Sequence, residues 1–150
     1  SRFTTVRKEL EHIEHYIQIQ QKRYEETVTF AIGAEPEAFD CKVTKIVLQP
    51  LVENAIRHGI EQKGGSGRID IRIYRDGDDL VYRVSDDGAG TDEAAIRALL
   101  DGSAEERQGL GLQNINDRIK LNYGARYGVE LASVPGEGTV VTVRQPFAKG

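Results

Sequence analysis

The stretch LQPLVENAIRHG at residues 48–59 decides much about this chain, because it places a polar side chain on the apolar face of a predicted helix. Asn54 lies three residues after Leu51 and four before His58, so its amide points where an apolar side chain would be expected. A buried amide must find hydrogen-bonding partners. Asn54 therefore either pairs with backbone groups inside the core or lines a cleft and holds a polar ligand or an ion.

A second motif, SDDGAG at residues 85–90, comes at the end of a predicted strand. Adjacent residues of an extended chain point to opposite faces, so one of Asp86 and Asp87 is predicted to point inward and the other outward. The glycines after them let a ligand approach the backbone closely. A tight turn is the simpler interpretation, and paired carboxylates can also indicate general acid–base chemistry.

The third motif is GLGLQN at residues 109–114, whose glycines lead into Leu112, Ile115 and Ile119 at helical spacing. This pattern predicts a helix N-terminus at the glycines, where free N–H groups and the helix dipole favour phosphate. The motif lacks the GK[ST] ending of a P-loop and the third glycine of a Rossmann fingerprint. Each motif alone is weak, but the three in this order require a carboxylate, a phosphate cradle and a polar helix face at once.

Composition excludes several classes of protein. The 150 residues suffice for one domain with a single core. The formal net charge is -4 and the lysines and arginines are scattered, so nucleic acid is not an expected partner. The single cysteine, Cys41, cannot form an internal disulfide. No apolar run approaches the roughly 20 residues of a membrane span, and no signal peptide is evident. We therefore expect a soluble chain. Because it starts at Ser1 within a predicted helix, we also expect it to be a piece of a longer protein.

Hydrophobic spacing outlines the first half of the fold. In the N-terminal segment, apolar residues at helical spacing predict a helix with a narrow apolar seam, which consists of Val6, Leu10, Ile13, Ile17 and Tyr24. This helix either docks on its own domain or pairs with another helix. Residues 28–32 alternate as a strand does. Helical spacing over residues 42–58 then predicts one helix, in which Pro50 either makes a kink or opens a fresh helix.

Antiparallel hairpins are predicted over residues 68–85 and around PGEG at residues 135–138. Between them, residues 91–108 form a long connection with a helix-like core at residues 94–100, which is typical of a mobile lid. Strands joined by tight turns, with helices between them rather than after every strand, predict an α+β fold. We expect a two-layer α/β sandwich with a mixed, mostly antiparallel sheet and helices on one face.

Over nearly its whole length the chain resembles the catalytic ATP-binding region of sensor histidine kinases, within the GHKL superfamily that also holds gyrase, Hsp90 and MutL. The LytS type is the most similar, because there the nucleotide-binding domain follows a segment like ELEHIEHYIQIQQKRY at residues 9–24. The resemblance implies the Bergerat ATP-binding fold for residues 27–150. For residues 1–26 it implies a linker helix that follows a phosphoacceptor domain absent from this chain.

The stretch LQPLVENAIRHG resembles the N box of this family. This resemblance implies that Asn54 coordinates the Mg²⁺ that bridges the ATP phosphates, with Arg57 and His58 beside them. Many relatives have a lysine at the position of Arg57, and an arginine fork can bind phosphate as well. These three residues are the catalytic candidates, and Asn54 is also the metal-binding candidate.

The other motifs resemble the remaining nucleotide boxes. In DDGAG, Asp86 would accept a hydrogen bond from the adenine amino group, while Gly88 and Gly90 would let the base lie against the backbone. The last hairpin resembles a box in which Thr139 supports the adenine pocket. GLGLQN resembles the second glycine box, whose phosphate-wrapping positions would be Gly109, Leu110, Gly111 and Leu112.

The implied function is transfer of the γ-phosphate of ATP to a histidine on an upstream dimerisation domain, for relay to a response regulator expected to be of the LytTR type. The intact protein would be a homodimer anchored in the bacterial inner membrane, with this domain in the cytoplasm. The phosphoacceptor segment, NPHFxFN-like in the family, is absent, and His12 and His15 are interpreted as solvent-facing helix residues. A phenylalanine-bearing lid box is not evident over residues 91–108.

Two other functions remain open from the sequence. A hydrolytic ATPase of the gyrase, Hsp90 or MutL kind places a glutamate one helical turn before the metal-binding asparagine, where this chain has Pro50. Glu53 is adjacent to Asn54 and points about 100° away around a helix, which disfavours hydrolysis. A regulatory ATP-binding module, or an anti-sigma-type serine kinase, would resemble the nucleotide core alone, whereas here residues 4–24 also resemble the linker of a histidine-bearing domain.

Overall fold

A computed structural model describes residues 2–24, 27–101 and 106–149 of the protein, with backbone alone for residues 99–101 and 106–110. The strands are β1 (Phe3–Thr5), β2 (Val28–Ala34), β3 (Lys42–Thr44), β4 (Gly67–Asp76), β5 (Asp79–Asp86), β6 (Gly128–Val134) and β7 (Gly138–Pro146). The α-helices are α1 (Val6–Arg23), α2 (Leu48–Asn54), α3 (Glu93–Asp101) and α4 (Glu106–Tyr123). A π-helical segment, Ala55–Ile60, continues α2, and 3₁₀ turns cover Pro36–Ala38 and Glu61–Lys63.

Five strands form one sheet in the order β2, β4, β5, β7, β6. β2 runs parallel to β4, whereas the other neighbouring pairs are antiparallel. Both predicted hairpins are present, since β4 pairs with β5 up to Asp76 and Asp79, and β6 pairs with β7 up to Val134 and Gly138. The predicted mixed, mostly antiparallel sheet is therefore confirmed.

Helices α1, α2 and α4 pack on this sheet and complete a two-layer sandwich. Alternate residues of the central strands point into the core, among them Ile71 of β4, Tyr82 of β5 and Val143 of β7. The helices meet them with the buried side chains of Val6, Ile13, Ile17, Leu51, Val52, Ile115 and Ile119. The apolar seam of α1 thus docks on its own domain, which was one of its two predicted alternatives.

The prediction of one helix over residues 42–58 is wrong. Lys42–Thr44 forms β3, which pairs antiparallel with β1, and α2 begins only at Leu48. Pro50 is the third residue of α2, where a helix has no internal N–H bond to lose, so it opens a fresh helix rather than kinking a longer one. The error arises because a three-residue strand and a turn can also place apolar side chains at helical spacing.

The turn before α2 has an unusual backbone conformation. Ile46 adopts a φ of 57°, in the left-handed region that β-branched residues rarely enter. Such conformations cost about 1–3 kcal/mol and persist only where surrounding contacts hold them. The contacts that hold Ile46 are therefore important for where α2 begins.

The glycine segment at residues 109–112 also differs from its prediction. Helix α4 already begins at Glu106, so Gly109 and Gly111 lie in its first two turns and not ahead of it. Only the first four N–H groups of a helix lack an internal partner, and those of Gly111 and Leu112 come later. The predicted phosphate-wrapping loop is helical in this structure.

The connection between the two hairpins contains the predicted helix. Residues 94–100 fall within α3 (Glu93–Asp101), as expected. Residues 102–105 of the predicted lid lie outside the described residues, so the mobility of this connection stays a prediction.

Candidate nucleotide-binding site

Asp86 is the last residue of β5, and the alternation of that strand turns it inward, so that only 9% of it is exposed. Its Oδ1 accepts a hydrogen bond from the backbone N–H of Gly88 at 2.9 Å. Burial raises the pKa of Asp86 to about 6, and the backbone N–H groups of Gly88 and Thr139 offset part of this effect. Asp87 is exposed and accepts a hydrogen bond from the Arg68 N–H at 2.7 Å, so the predicted inward and outward aspartates are confirmed.

The turn after Asp86 and the π-helical segment after α2 are in direct backbone contact. The Ala89 N–H donates to the Gly59 carbonyl at 3.1 Å. A side chain at Gly59 would overlap the Asp86 carboxylate, and one at Gly88 would overlap the Gly59 backbone. Both positions therefore require glycine, and their contact joins the N box to the DDGAG motif.

Gly59 is a site residue that the sequence did not single out beyond its place at the end of the N box. A glycine inside a helical pattern costs about 1 kcal/mol relative to alanine, so its presence there indicates a packing or functional requirement. That signal was available, but it does not say which element the glycine contacts. The structure identifies the contact as the Asp86 turn.

A cavity of about 360 Å³ lies beside this contact, within the size range of small-molecule sites. It is enclosed by the end of α2 with its π-helical extension, the turn after β5, α3 and the β6–β7 hairpin. Four of the predicted site residues line it, namely Asn54, His58, Gly90 and Thr139. Asp86 lies behind its wall, where its backbone pairs with that of Thr139.

The N box divides between the cavity and solvent. Asn54 is half-buried, lines the cavity and makes no side-chain hydrogen bond to the described part of the chain, so its predicted position in a cleft is observed. His58 lines the same cavity, and burial followed by the charge of Arg57 lowers its pKa. Arg57 itself is exposed and is not among the lining residues, so the structure does not bring it to the cavity.

In the second glycine motif, Gly111 lies close to the N box, and neither it nor Leu112 lines the cavity. A Cβ added at Gly111 would lie 4.0 Å from the Pro50 side chain, which is an ordinary contact distance. The Leu112 side chain is buried in the core, while Gly109 and Leu110 are described only as backbone at the start of α4. The phosphate role of these four residues stays a prediction.

Several lining residues were not predicted from the sequence. Among the described residues, Gln62, Ala89, Thr91, Ala95, Ala98 and Leu131 complete the wall. A further polar network supports it, because the Thr91 N–H donates to Ser133 Oγ at 2.8 Å and that oxygen lies 2.7 Å from Thr139 Oγ1. Leu131 carried a usable signal, namely strand alternation, and Ala89 lies within the DDGAG motif. The others come from segments whose position depends on tertiary packing.

The residues present suit a metal ion that arrives with its ligand better than a resident metal. Among the described residues, no group of three or more histidine, cysteine, aspartate or glutamate side chains could hold a metal ion. Asn54 offers one amide oxygen at the cavity wall. Mg²⁺ commonly takes few protein ligands and completes its octahedron with water and substrate phosphates, so this single donor is compatible with a nucleotide-bound Mg²⁺.

The fold and the cavity define a class of protein. Residues 41–149 match the family described as histidine kinase-, DNA gyrase B- and HSP90-like ATPase, and the chain belongs to this family. It is 31% identical over 147 residues to the sensor histidine kinase BtsS of Escherichia coli (strain K12), with 98% of this chain and 24% of that protein covered. The sensor histidine kinase YesM of Bacillus subtilis (strain 168) is 31% identical over 142 residues, with 95% and 24% covered.

A solved structure gives the same assignment of the fold. The catalytic domain of histidine kinase ThkA superposes with a TM-score of 0.75 at 18% identity, with 98% of this chain and 99% of that chain covered. The chain spans about a quarter of the length of the curated relatives it matches. The predicted ATP-binding domain of histidine-kinase type and its α+β sandwich are confirmed.

Proposed function

We propose that this domain holds ATP with Mg²⁺ and positions the γ-phosphate for transfer to a histidine on an upstream domain, for relay to a response regulator. Membership of the ATPase family supports ATP as the ligand. The observation that carries the proposal is one cavity lined by Asn54 and Thr139, with Asp86 paired through its backbone to Thr139. A candidate group for the phosphate end and a candidate group that supports the base thereby line one cavity.

Asp86 is the proposed acceptor for the adenine amino group. With its pKa raised to about 6, the carboxyl is mostly ionised at neutral pH and acts only as an acceptor. Guanine carries a carbonyl oxygen where adenine carries the amino group, so a carboxylate there selects ATP over GTP. Thr139 supports the same end through its hydroxyl, which Ser133 holds at 2.7 Å, and Gly88 and Gly90 leave room for the base.

Asn54 is the proposed protein ligand for Mg²⁺ at the phosphate end, with His58 beside it. When bound, the ion would neutralise charge on the phosphates. The amide oxygen of Asn54 would orient the triphosphate, and the partly buried wall would limit access of water. Arg57 and the segment Gly109, Leu110, Gly111 and Leu112 are proposed to join this end, which requires movement of the exposed Arg57 side chain and local unwinding of the start of α4.

The chain offers positioning and charge but not a nucleophile. Phosphoryl transfer depends mainly on alignment and electrostatic stabilisation, so a domain of this kind can act on a histidine supplied by another domain. Hydrolysis is disfavoured because Pro50 lies one turn before Asn54, and because Glu53 Oε1 accepts a hydrogen bond from Gln49 Nε2 at 2.8 Å. The structure therefore favours transfer over an ATPase reaction.

The rest of the proposal concerns the intact protein. Residues 1–26 are proposed as the linker from a histidine-bearing dimerisation domain, in a homodimer whose response regulator is of the LytTR type. Anchoring in the bacterial inner membrane would leave this domain in the cytoplasm. Within the described ranges, no helix combines the length and apolar character needed to cross a membrane.

The test is calorimetric titration of the domain with a nonhydrolysable ATP analogue, with and without Mg²⁺, and with GTP as the competing nucleotide. We expect Asp86→Asn to abolish adenine-selective binding and Asn54→Asp to change its Mg²⁺ dependence. Asp87→Asn is the matched control, because it alters the adjacent, exposed carboxylate and should bind as the parent does. Equal binding by Asp86→Asn and Asp87→Asn would contradict the adenine assignment.

Phosphotransfer needs a second measurement. Supplied with the upstream histidine domain, the parent domain should produce an acid-labile phosphohistidine from ATP, and Asn54→Asp should not. ATP binding without such a product would favour a regulatory module instead. Rapid hydrolysis that disappears in Glu53→Gln would favour the ATPase.

A further inference from the structure

Glu9 of α1 is buried although it is charged, with 5% of the residue exposed. Its carboxylate accepts hydrogen bonds from three successive backbone N–H groups at the start of α2: those of Ile46 at 3.1 Å, Val47 at 2.9 Å and Leu48 at 3.4 Å. These N–H groups have no partner inside the helix, and the positive end of the helix dipole favours a negative charge there. A side chain from α1 therefore caps the helix that carries Asn54.

The same turn is held from its other side by α4. Arg118 donates from its two terminal nitrogens to the Lys45 carbonyl at 2.7 Å and to the Ile46 carbonyl at 2.8 Å. Ile46, with its left-handed φ of 57°, is thus bonded at its N–H by Glu9 and at its carbonyl by Arg118. Contacts from two separate helices fix the point at which α2 begins.

We propose that Glu9 is a positioning residue for the nucleotide site, acting through the start of α2 on the phosphate end of the cavity. Asn54 is the last residue of α2, a helix of seven residues, so a shift of its first turn is transmitted to Asn54. Asp86 belongs to the central strand β5, and its carboxylate accepts from the backbone N–H groups of Gly88 and Thr139 and not from this turn. Loss of the Glu9 carboxylate therefore affects the phosphate end more than the adenine end. The inference rests on the proposed function for the roles of Asn54 and Asp86.

Comparing the binding of two ligands, one with phosphates and one without, distinguishes this positioning role of Glu9 from a general contribution to stability. We would titrate Glu9→Ala and Glu9→Gln with the ATP analogue plus Mg²⁺, and separately with adenosine, at a temperature where each variant is folded. A charge-assisted hydrogen bond to a buried backbone group corresponds to about tenfold or more in an equilibrium constant. We expect a loss of that size for the magnesium nucleotide, little change for adenosine, and a smaller loss for Glu9→Gln, whose amide oxygen can still accept.

Glu11→Gln and Glu14→Gln are matched controls, because both glutamates are exposed on the same helix, and both variants should bind as the parent does. Equal losses for both ligands, or no loss for either, would overturn the proposal. If the parent itself bound no ATP, the proposed function would fail instead.

Amide hydrogen exchange of the ligand-free protein tests the positioning role of Glu9 without any nucleotide. Glu9→Ala should accelerate exchange over residues 46–54 while residues 80–88 keep the protection of the parent. Unchanged exchange over residues 46–54 would overturn the positioning role even in a parent that binds no ATP.

Discussion

At the scale of single residues, Asp86 is a site residue whose buried charge lowers the stability of the folded domain. The residue is a carboxylate at a buried position, accepts a backbone hydrogen bond from Gly88 and has its pKa raised to about 6 by burial. Buried charge is costly unless it is paired, and no cation lies against this carboxylate among the hydrogen bonds and ion pairs of the described residues. The cost is consistent with a group kept for a ligand and not for the fold.

We therefore predict that Asp86→Asn stabilises the ligand-free domain at pH 7, by up to about 3 kcal/mol in the free energy of unfolding. The pKa of this carboxyl is higher in the folded state than its ordinary value of 3.8, so between about pH 4 and pH 6 the folded state binds more protons than the unfolded state. The stability contributed by Asp86 is present below pH 4 and is lost as the pH rises through about 6.

Urea denaturation of the parent and the variant at pH 4 and at pH 7 checks this prediction. The stability difference should be present at pH 7 and small at pH 4, where the parent carboxyl is protonated in the folded state and close to its ordinary pKa of 3.8 in the unfolded state. Asp87→Asn, at an exposed position, should show no such pH-dependent gain. A parent that is more stable than Asp86→Asn at pH 7 would show that the carboxylate is structurally required.

At the scale of elements, α4 combines a structural and a proposed functional role in one helix. Its later turns bury Ile115 and Ile119 in the core, while its first two turns contain Gly109 and Gly111. Glycine is a poor helix former, so these turns are the least stable part of α4. Unwinding them would release the N–H groups that the proposed phosphate contacts require.

We predict that Gly111→Ala stabilises the ligand-free domain by about 0.5–1 kcal/mol and weakens binding of the ATP analogue. The added methyl group has room, since it would lie 4.0 Å from the Pro50 side chain. Thermal denaturation reports the first effect and calorimetry the second, with adenosine binding expected to stay unchanged. Asp117→Ala is the control, because it raises helix propensity at an exposed site of the same helix. Undiminished ATP affinity in Gly111→Ala would show that the segment does not need to unwind.

At the scale of the whole molecule, α1 belongs to the packed core although the matched family region begins only at residue 41. Val6, Ile13 and Ile17 are buried against the sheet layer, and Glu9 caps α2. This packing bears on the proposed division at residue 26, because a linker that also covers the core cannot be removed without exposing apolar surface.

Ile13→Ala is accordingly predicted to lower the free energy of unfolding by about 2–5 kcal/mol, as for other large apolar side chains replaced in a core. Ile19→Ala, on the same helix but 65% exposed, should change it by no more than about 0.5 kcal/mol. Denaturant unfolding of both variants provides the comparison. Similar small effects would indicate that residues 1–26 fold apart from the catalytic domain.

Much of the fold and part of the site were predictable from the sequence, for reasons that differ from residue to residue. Strand alternation correctly placed Asp86 inward and Asp87 outward, because side-chain direction in a strand is a local property. Helical spacing placed Asn54 on the face that lines the cavity. The same spacing failed over residues 42–47, where β1 pairs with β3 and takes that segment out of the predicted helix.

The sequence by itself determined the layer architecture, the resemblance to the ATPase family and the direction of the two aspartates, since each follows from a periodicity or a motif within a short segment. Only the tertiary structure decided that Gly59 meets Gly88, that the exposed Arg57 does not line the cavity and that Glu9 caps the start of α2. These contacts join residues far apart in the chain. They arise when α1, α2 and the sheet bury their apolar faces together, and no local pattern specifies which polar groups that packing brings into contact.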